Sequence, residues 1–302
     1  MAANLPEQVG KEAVLAKGWW RANKWLLLRR LSQILILLLF LTGPLFGEGY
    51  WIAKGNLTSS LTFDVLPLTD PYILLQSFIA GHELISQALI GALIVTVFYL
   101  LVGGRVFCSW VCPVNIVTDT ADGLRRRLKI KGGARFSRNL RYWILAMTLI
   151  LAAVTSSIAW EFVNPVSITH RSIIFGFGYA SVVILGIFLF DLLLSRQGWC
   201  GHICPVGAFY SLLGRFSFVR VSAKNREKCD DCMDCFMVCP EKQVIKPALK
   251  GEDKGIGPVV MDKNCTNCGR CIDVCAKDVF KFSNRFNNDT LLNVSKKEEV
   301  AP

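Results

Sequence analysis

Eight cysteines in the C-terminal third stand in two runs of one spacing, Cys229-x2-Cys232-x2-Cys235-x3-Cys239-Pro240 and Cys265-x2-Cys268-x2-Cys271-x3-Cys275. Three thiolates that close together can take three corners of an iron–sulfur cube. The fourth opens a short helix and reaches the other cube, so ligation crosses between the runs. The spacing predicts one [4Fe–4S] cluster on Cys229, Cys232, Cys235 and Cys275, and a second on Cys265, Cys268, Cys271 and Cys239. Ala276 replaces the proline expected after the last cysteine, which alters the turn but not the ligand set. Structural zinc is the competing use, but zinc ligands usually come as separated pairs. Such a cubane pair has no open coordination site and moves electrons one at a time, so the region reads as a wire.

Four further cysteines form two shorter motifs, Phe107-Cys108-Ser109-Trp110-Val111-Cys112-Pro113 and Trp199-Cys200-Gly201-His202-Ile203-Cys204-Pro205. If a helix continues through each motif, the i, i+4 spacing puts both sulfurs on one face; Pro113 and Pro205 then end or redirect the chain. Two converging pairs would supply a complete ligand set for a third cluster. Reduced cysteines packing helix ends, a redox-active dithiol and a partner contact surface are the other readings, and the spacing leaves them open.

The elements that must carry these motifs are written in the hydropathy. The chain of 302 residues is 52% hydrophobic, with 19 Phe and 8 Trp, too apolar for an ordinary soluble protein. Four apolar stretches, 26–46, 83–102, 141–160 and 172–194, are long enough to supply the ~20 residues a helix needs to cross a bilayer. Each motif follows the second span of a hairpin, which predicts two parallel hairpin repeats. The expected fold is a polytopic α-helical membrane protein of four transmembrane helices, with a C-terminal bacterial ferredoxin-like α+β domain holding two [4Fe–4S] clusters. Its expected parts are an interfacial segment over 1–25, where Trp19, Trp20 and Trp25 would lie among lipid headgroups, a membrane domain over 26–221, the ferredoxin-like domain over 222–286 and a disordered tail over 287–302.

Charge orients this arrangement. Residues 1–221 carry 20 Lys and Arg against 10 Asp and Glu, while residues 222–302 carry 14 against 13, so the net +11 belongs to the membrane part. Its cations gather before the first span and between the second and third, where Arg125, Arg126, Arg127 and Lys129 stand. Positive-inside predicts both termini and the ferredoxin domain in the cytoplasm of a bacterial inner membrane. No basic stripe is left for nucleic acid. Four spans without a mid-membrane charge also offer no pathway for a transported substrate.

Taken together, the span order, Gly104-Arg105-Val106-Phe107-Cys108-Ser109-Trp110-Val111-Cys112-Pro113, Trp199-Cys200-Gly201-His202-Ile203-Cys204-Pro205-Val206-Gly207-Ala208-Phe209-Tyr210 and the eight-cysteine array resemble the NapH family, the membrane ferredoxin-type subunits of periplasmic nitrate reductase systems. The resemblance implies an electron-transfer component of a quinol dehydrogenase. It would take electrons from ubiquinol or menaquinol and pass them, with a periplasmic iron–sulfur subunit, toward a membrane-anchored multihaem cytochrome. Related maturation families share the membrane core, so an assembly factor supplying electrons for metal or disulfide reduction is the alternative.

Quinol oxidation releases protons, so it needs acceptors near the redox centre. Glu48, Asp64, Asp70, His82, Glu83, Glu161 and His170 are candidates in the loops opposite the cysteine motifs, with His82 and Glu83, at the start of the second span, the preferred pair. A bis-His haem needs facing histidines, and with 3 His in the chain none is expected. The acceptors and the cysteines then lie ~30 Å apart across the bilayer, and nothing in the sequence bridges them.

Overall fold

The structure is a computed structural model and describes residues 9–47, 52–130, 132–134, 136–176 and 178–286. Glu48 and the tail over 287–302 lie outside the described residues. In chain order the helices are α1 (Lys11–Lys17), α2 (Trp19–Ala22), α3 (Lys24–Phe46), α4 (Pro71–Ile79), α5 (Ser86–Val102), α6 (Val114–Arg127), α7 (Leu140–Thr155), α8 (Pro165–Phe175), α9 (Tyr179–Leu189), α10 (Pro205–Gly214), α11 (Asp234–Val238), α12 (Ile245–Lys250) and α13 (Arg270–Asp273). The strands are β1 (Ala53–Gly55), β2 (Ser59–Thr62), β3 (Leu66–Thr69), β4 (Val219–Ser222) and β5 (Lys281–Asn284). The chain divides into two compact units, one of residues 1–29, 100–106 and 211–302, the other of residues 30–99 and 107–210.

In the first unit β4 and β5 pair antiparallel, with Val221 opposite Phe282. They cover a core of Val221, Val244, Ile245, Leu249, Val260, Val279 and Phe280. Both cysteine runs wind through left-handed residues at matching places: Asp231 and Met233 in the first, Asn267 and Gly269 in the second. Asp, Asn and Gly are the residues that enter this region most readily. Gly269 is further required because a Cβ there would lie 2.6 Å from the Trp25 side chain. A buried pair, Arg105 to Glu241 at 2.6 Å, ties residues 100–106 to the loop after Cys239.

The N-terminal segment belongs to this unit. Lys17 Nζ donates to the carbonyls of Ile272 and Cys275, each at 2.8 Å, and the amide of Gly10 donates to Asp234. Asp273 accepts from the amides of Trp25 and Leu26 and so caps the start of α3. Trp25 stands edge-on to Phe282, whereas Trp19 and Trp20 are exposed. Specific polar caps hold the segment here, which composition alone did not reveal.

The second unit holds the antiparallel meander β1–β2–β3 and the apolar helices. Among the described residues one helix, Lys24–Pro44, is long and apolar enough to cross a membrane, with only 22% of its apolar window buried. The other three expected spans are shorter helices, Ser86–Val102, Leu140–Thr155 and Ala180–Leu194. The third stops early because Ser156 turns left-handed. The fourth is split: Gly176, at φ 101, ends α8, and α9 starts afresh at Tyr179. The second begins at Ser86, which leaves His82 and Glu83 in the loop before it.

The repeat is richer than two hairpins. In each half a short helix starts on a side-chain cap followed by proline. Asp70 accepts from the amide of Tyr72 before Pro71-led α4, and Asn164 accepts from the amide of Val166 before Pro165-led α8. Proline suits a first helical position because its missing N–H would be unpaired there anyway.

Candidate iron–sulfur centres

All twelve cysteines are free thiols, and they sort four by four into three cavities. Cys229, Cys232, Cys235 and Cys275 line one, beneath Phe236 and Phe280. Cys239, Cys265, Cys268 and Cys271 line a second, walled by Val221, Ile245 and Val260. In both, the fourth cysteine comes from the other run. Burial, first among the causes, pushes the thiols up: Cys232 to about 11, Cys235 to about 12 and Cys265 to about 11. Neighbouring thiols push Cys235 further the same way. Sulfurs so placed need bound cations to become thiolates.

The third cavity lies in the other unit and takes one pair from each short motif: Cys108, Cys112, Cys200 and Cys204. The three are of similar size. Among the described residues no three His, Cys, Asp or Glu side chains converge as a site for one metal ion. Four thiols around a shared space suit a polynuclear cluster instead, so these donor sets fit [4Fe–4S] groups.

The short motifs are not α-helical, as their spacing had suggested. Each is one wider turn closed by an i to i+5 bond, from the Cys112 amide to the Phe107 carbonyl at 3.0 Å and from the Cys204 amide to the Trp199 carbonyl at 2.9 Å. Such π turns recur at functional sites. The prolines redirect the chain: α6 follows Pro113 directly, and Pro205 opens α10. Buried Gln33 of α3 steadies the first turn by donating to the carbonyls of Ser109 and Cys112, both at 3.2 Å. Asp191 steadies the second by accepting from the Trp199 amide at 2.9 Å. Cys200 lies 3.8 Å from the Thr118 hydroxyl, across the repeat.

Sequence reasoning missed the rest of the wall. Trp160, Asn164, Pro165 and Val166, which follow α7, line the same cavity as the four cysteines. Asp70, at the matching place in the first half, accepts from the Tyr210 hydroxyl at 3.2 Å, six residues beyond Cys204. Burial pushes the Asp70 carboxyl up to about 6, although its hydrogen bonds from the Tyr72 amide and Tyr210 work against the rise. His82 and Glu83, by contrast, are exposed and line none of the three cavities. The signal that could have found Asn164 and Pro165 on this wall is their cap-then-proline pattern, which repeats Asp70-Pro71 of the first half.

Comparison with known proteins agrees with this geometry. The family described as "4Fe-4S binding domain" matches residues 87–131 and 177–224, one match over each short motif, and the family described as "4Fe-4S dicluster domain" matches residues 228–279. The ferredoxin-type protein NapH of Haemophilus influenzae is 50% identical over 95% of this chain and 99% of its own. NapH of Escherichia coli is 49% identical over 95% and 98%. The methylamine utilization ferredoxin-type protein MauN of Paracoccus denitrificans is 54% identical over 90% and 95%. No solved structure matches. The chain is an iron–sulfur protein of the [4Fe–4S] kind and belongs to the NapH and MauN family of ferredoxin-type proteins.

Proposed function

We propose that this protein is the membrane electron-transfer subunit of a quinol dehydrogenase, with three [4Fe–4S] clusters held by the twelve cysteines. The observation that carries the reading is the sorting of those cysteines into three four-thiol cavities of similar size. Cys229, Cys232, Cys235 and Cys275 hold the first cluster, Cys239, Cys265, Cys268 and Cys271 the second, and Cys108, Cys112, Cys200 and Cys204 the third. Bound there, each cluster accepts and returns single electrons.

Four spans complete the proposal. The three shorter helices reach only ~22–26 Å at 1.5 Å per residue, under the ~30 Å hydrocarbon core. Their outward faces are nonetheless apolar: Leu93 is 63% exposed, Trp143 74%, Val154 76% and Val182 66%. Patches of that kind mark a membrane or partner surface. The Lys- and Arg-rich segment before α7 then faces the cytoplasm, as do both termini and the ferredoxin-like part. In that topology residues 160–166 follow a helix leading away from the cytoplasm, whereas the short motifs follow helices leading back. Their meeting at one cavity shortens the gap between a quinol on the far side and the third cluster. Asp70, buried beside Tyr210, joins His82 and Glu83 as a proton acceptor.

Electrons then leave through a periplasmic iron–sulfur subunit and a multihaem cytochrome toward a terminal reductase, nitrate reductase by similarity to NapH. One relative at 54% identity is named for methylamine utilization, which favours a second reading. In that reading the same wire serves assembly of another enzyme, supplying electrons for metal or disulfide reduction. Protein purified without oxygen should contain about twelve irons per chain, and added quinol should bleach its cluster absorbance. About eight irons would remove the third cluster, and no bleaching even with partners present would remove the quinol reading. A deletion strain separates the alternatives: a lost conduit leaves the terminal enzyme assembled, and a lost assembly factor leaves it without cofactor.

A further inference from the structure

Trp160 is a large side chain on the wall of the four-thiol cavity, and the proposed function leaves it without work. It is 4% exposed and lines the cavity with the four cysteines. Its indole N–H finds no acceptor among the described residues. Leaving a buried donor unpaired is costly, so the N–H should have a partner in the working protein. The residue is also held in place. Its own amide donates to Oε1 of Gln76 at 3.2 Å, and Gln76 is fully buried. The short turn Ala159–Phe162 runs directly into Asn164, whose side chain caps α8 and donates to Glu161 and Ser167. The backbone around Trp160 is thus held in place, and its buried side chain borders the cavity of the four thiols.

We infer that the indole N–H of Trp160 donates a hydrogen bond to a sulfur of the cluster held by Cys108, Cys112, Cys200 and Cys204, and that this bond raises the reduction potential of that cluster above what the thiolates alone would set. The inference rests on the proposal that a third cluster occupies this cavity. A cluster gains negative charge when it takes an electron, so a donor aimed at its sulfur favours the reduced state. Hydrogen bonds to the sulfurs are among the main determinants of cluster potential. The start of α8, whose Pro165 and Val166 line the same wall, adds the positive end of a helix dipole. The result is a centre tuned to receive electrons from a mild donor such as a quinol, set apart from the two in the ferredoxin-like unit.

The test uses the full chain, purified without oxygen. Iron content comes first: wild type should hold about twelve irons and Cys200→Ser about eight. Equal iron in both would overturn the third cluster, and Trp160's role with it. Given the difference, the potential that Cys200→Ser abolishes is assigned to the cavity. Trp160→Phe should keep the full iron content yet shift that cluster's reduction equilibrium about tenfold toward the oxidised form, ~59 mV for one electron. An unchanged potential at full iron overturns the hydrogen bond alone. Should Trp160→Phe lose iron, wild type grown with indole-15N tryptophan decides the matter. Pulsed EPR of the reduced cluster should show a 15N coupling that survives Trp199→Phe, and its absence overturns the inference.

Discussion

A buried carboxylate that accepts from Tyr210 has a measurable consequence at the scale of one residue. Asp70 has its carboxyl raised from 3.8 to about 6 by burial. An acid so raised binds its proton more tightly in the fold than in the unfolded chain. Its contribution to stability is therefore full below pH 3.8 and is lost as pH rises to about 6. At ~1.4 kcal/mol per pKa unit, of the order of 3 kcal/mol depends on that proton. Asp70→Asn keeps an acceptor for the Tyr72 amide and removes the charge. Thermal unfolding in detergent should show wild type losing stability across this window and the variant holding level. A parallel decline in both proteins would refute the assignment.

Elements position the thiols through a few close approaches. In the cysteine-rich unit, the αL residues before and after Cys232 and Cys268 curl each run around its cavity. In the apolar unit, α5 crosses β3 at Gly91, where a Cβ would lie 3.0 Å from both the Pro67 carbonyl and the Thr69 amide. Both neighbours are backbone and cannot swing aside. Gly91→Val should therefore push α5 off the meander and cost about 1–3 kcal/mol, read as a lower unfolding midpoint. Because Asp70 follows Thr69 directly, the same variant should weaken iron retention at the Cys108 and Cys200 motifs before it affects the other two centres. Uniform loss of all iron would contradict that order.

For the whole molecule, the apolar faces of α5, α7 and α9 carry the prediction. Exposed side chains such as Phe98, Met147 and Leu185, at 52%, 58% and 56%, have no place in water. Alkaline carbonate should leave the protein in the membrane pellet, and a reporter fused after residue 286 should be active only in the cytoplasm. Release into the supernatant would overturn the four-span reading, and an active periplasmic reporter would reverse its orientation.

The sequence alone determined how the eight cysteines of the C-terminal runs group into two sets of four. Thiolate spacing is a local property, and a Cys-x2-Cys-x2-Cys-x3-Cys run limits what its sulfurs can reach. It also determined that four apolar helices exist and that a cysteine motif follows the second and the fourth of them. What it did not determine is where those helices stop, because Ser156 and Gly176 end them through backbone conformation rather than polarity. Nor did it show that Lys17 and Asp273 bind the N-terminal segment beside the cysteines of 265–275, since those bonds join residues some 250 positions apart. Only the tertiary structure brought Trp160 and Asn164 to the cysteines. A helix as short as α7 carries no mark of where the chain beyond it will turn, and that turn is set by packing against residues far away in sequence.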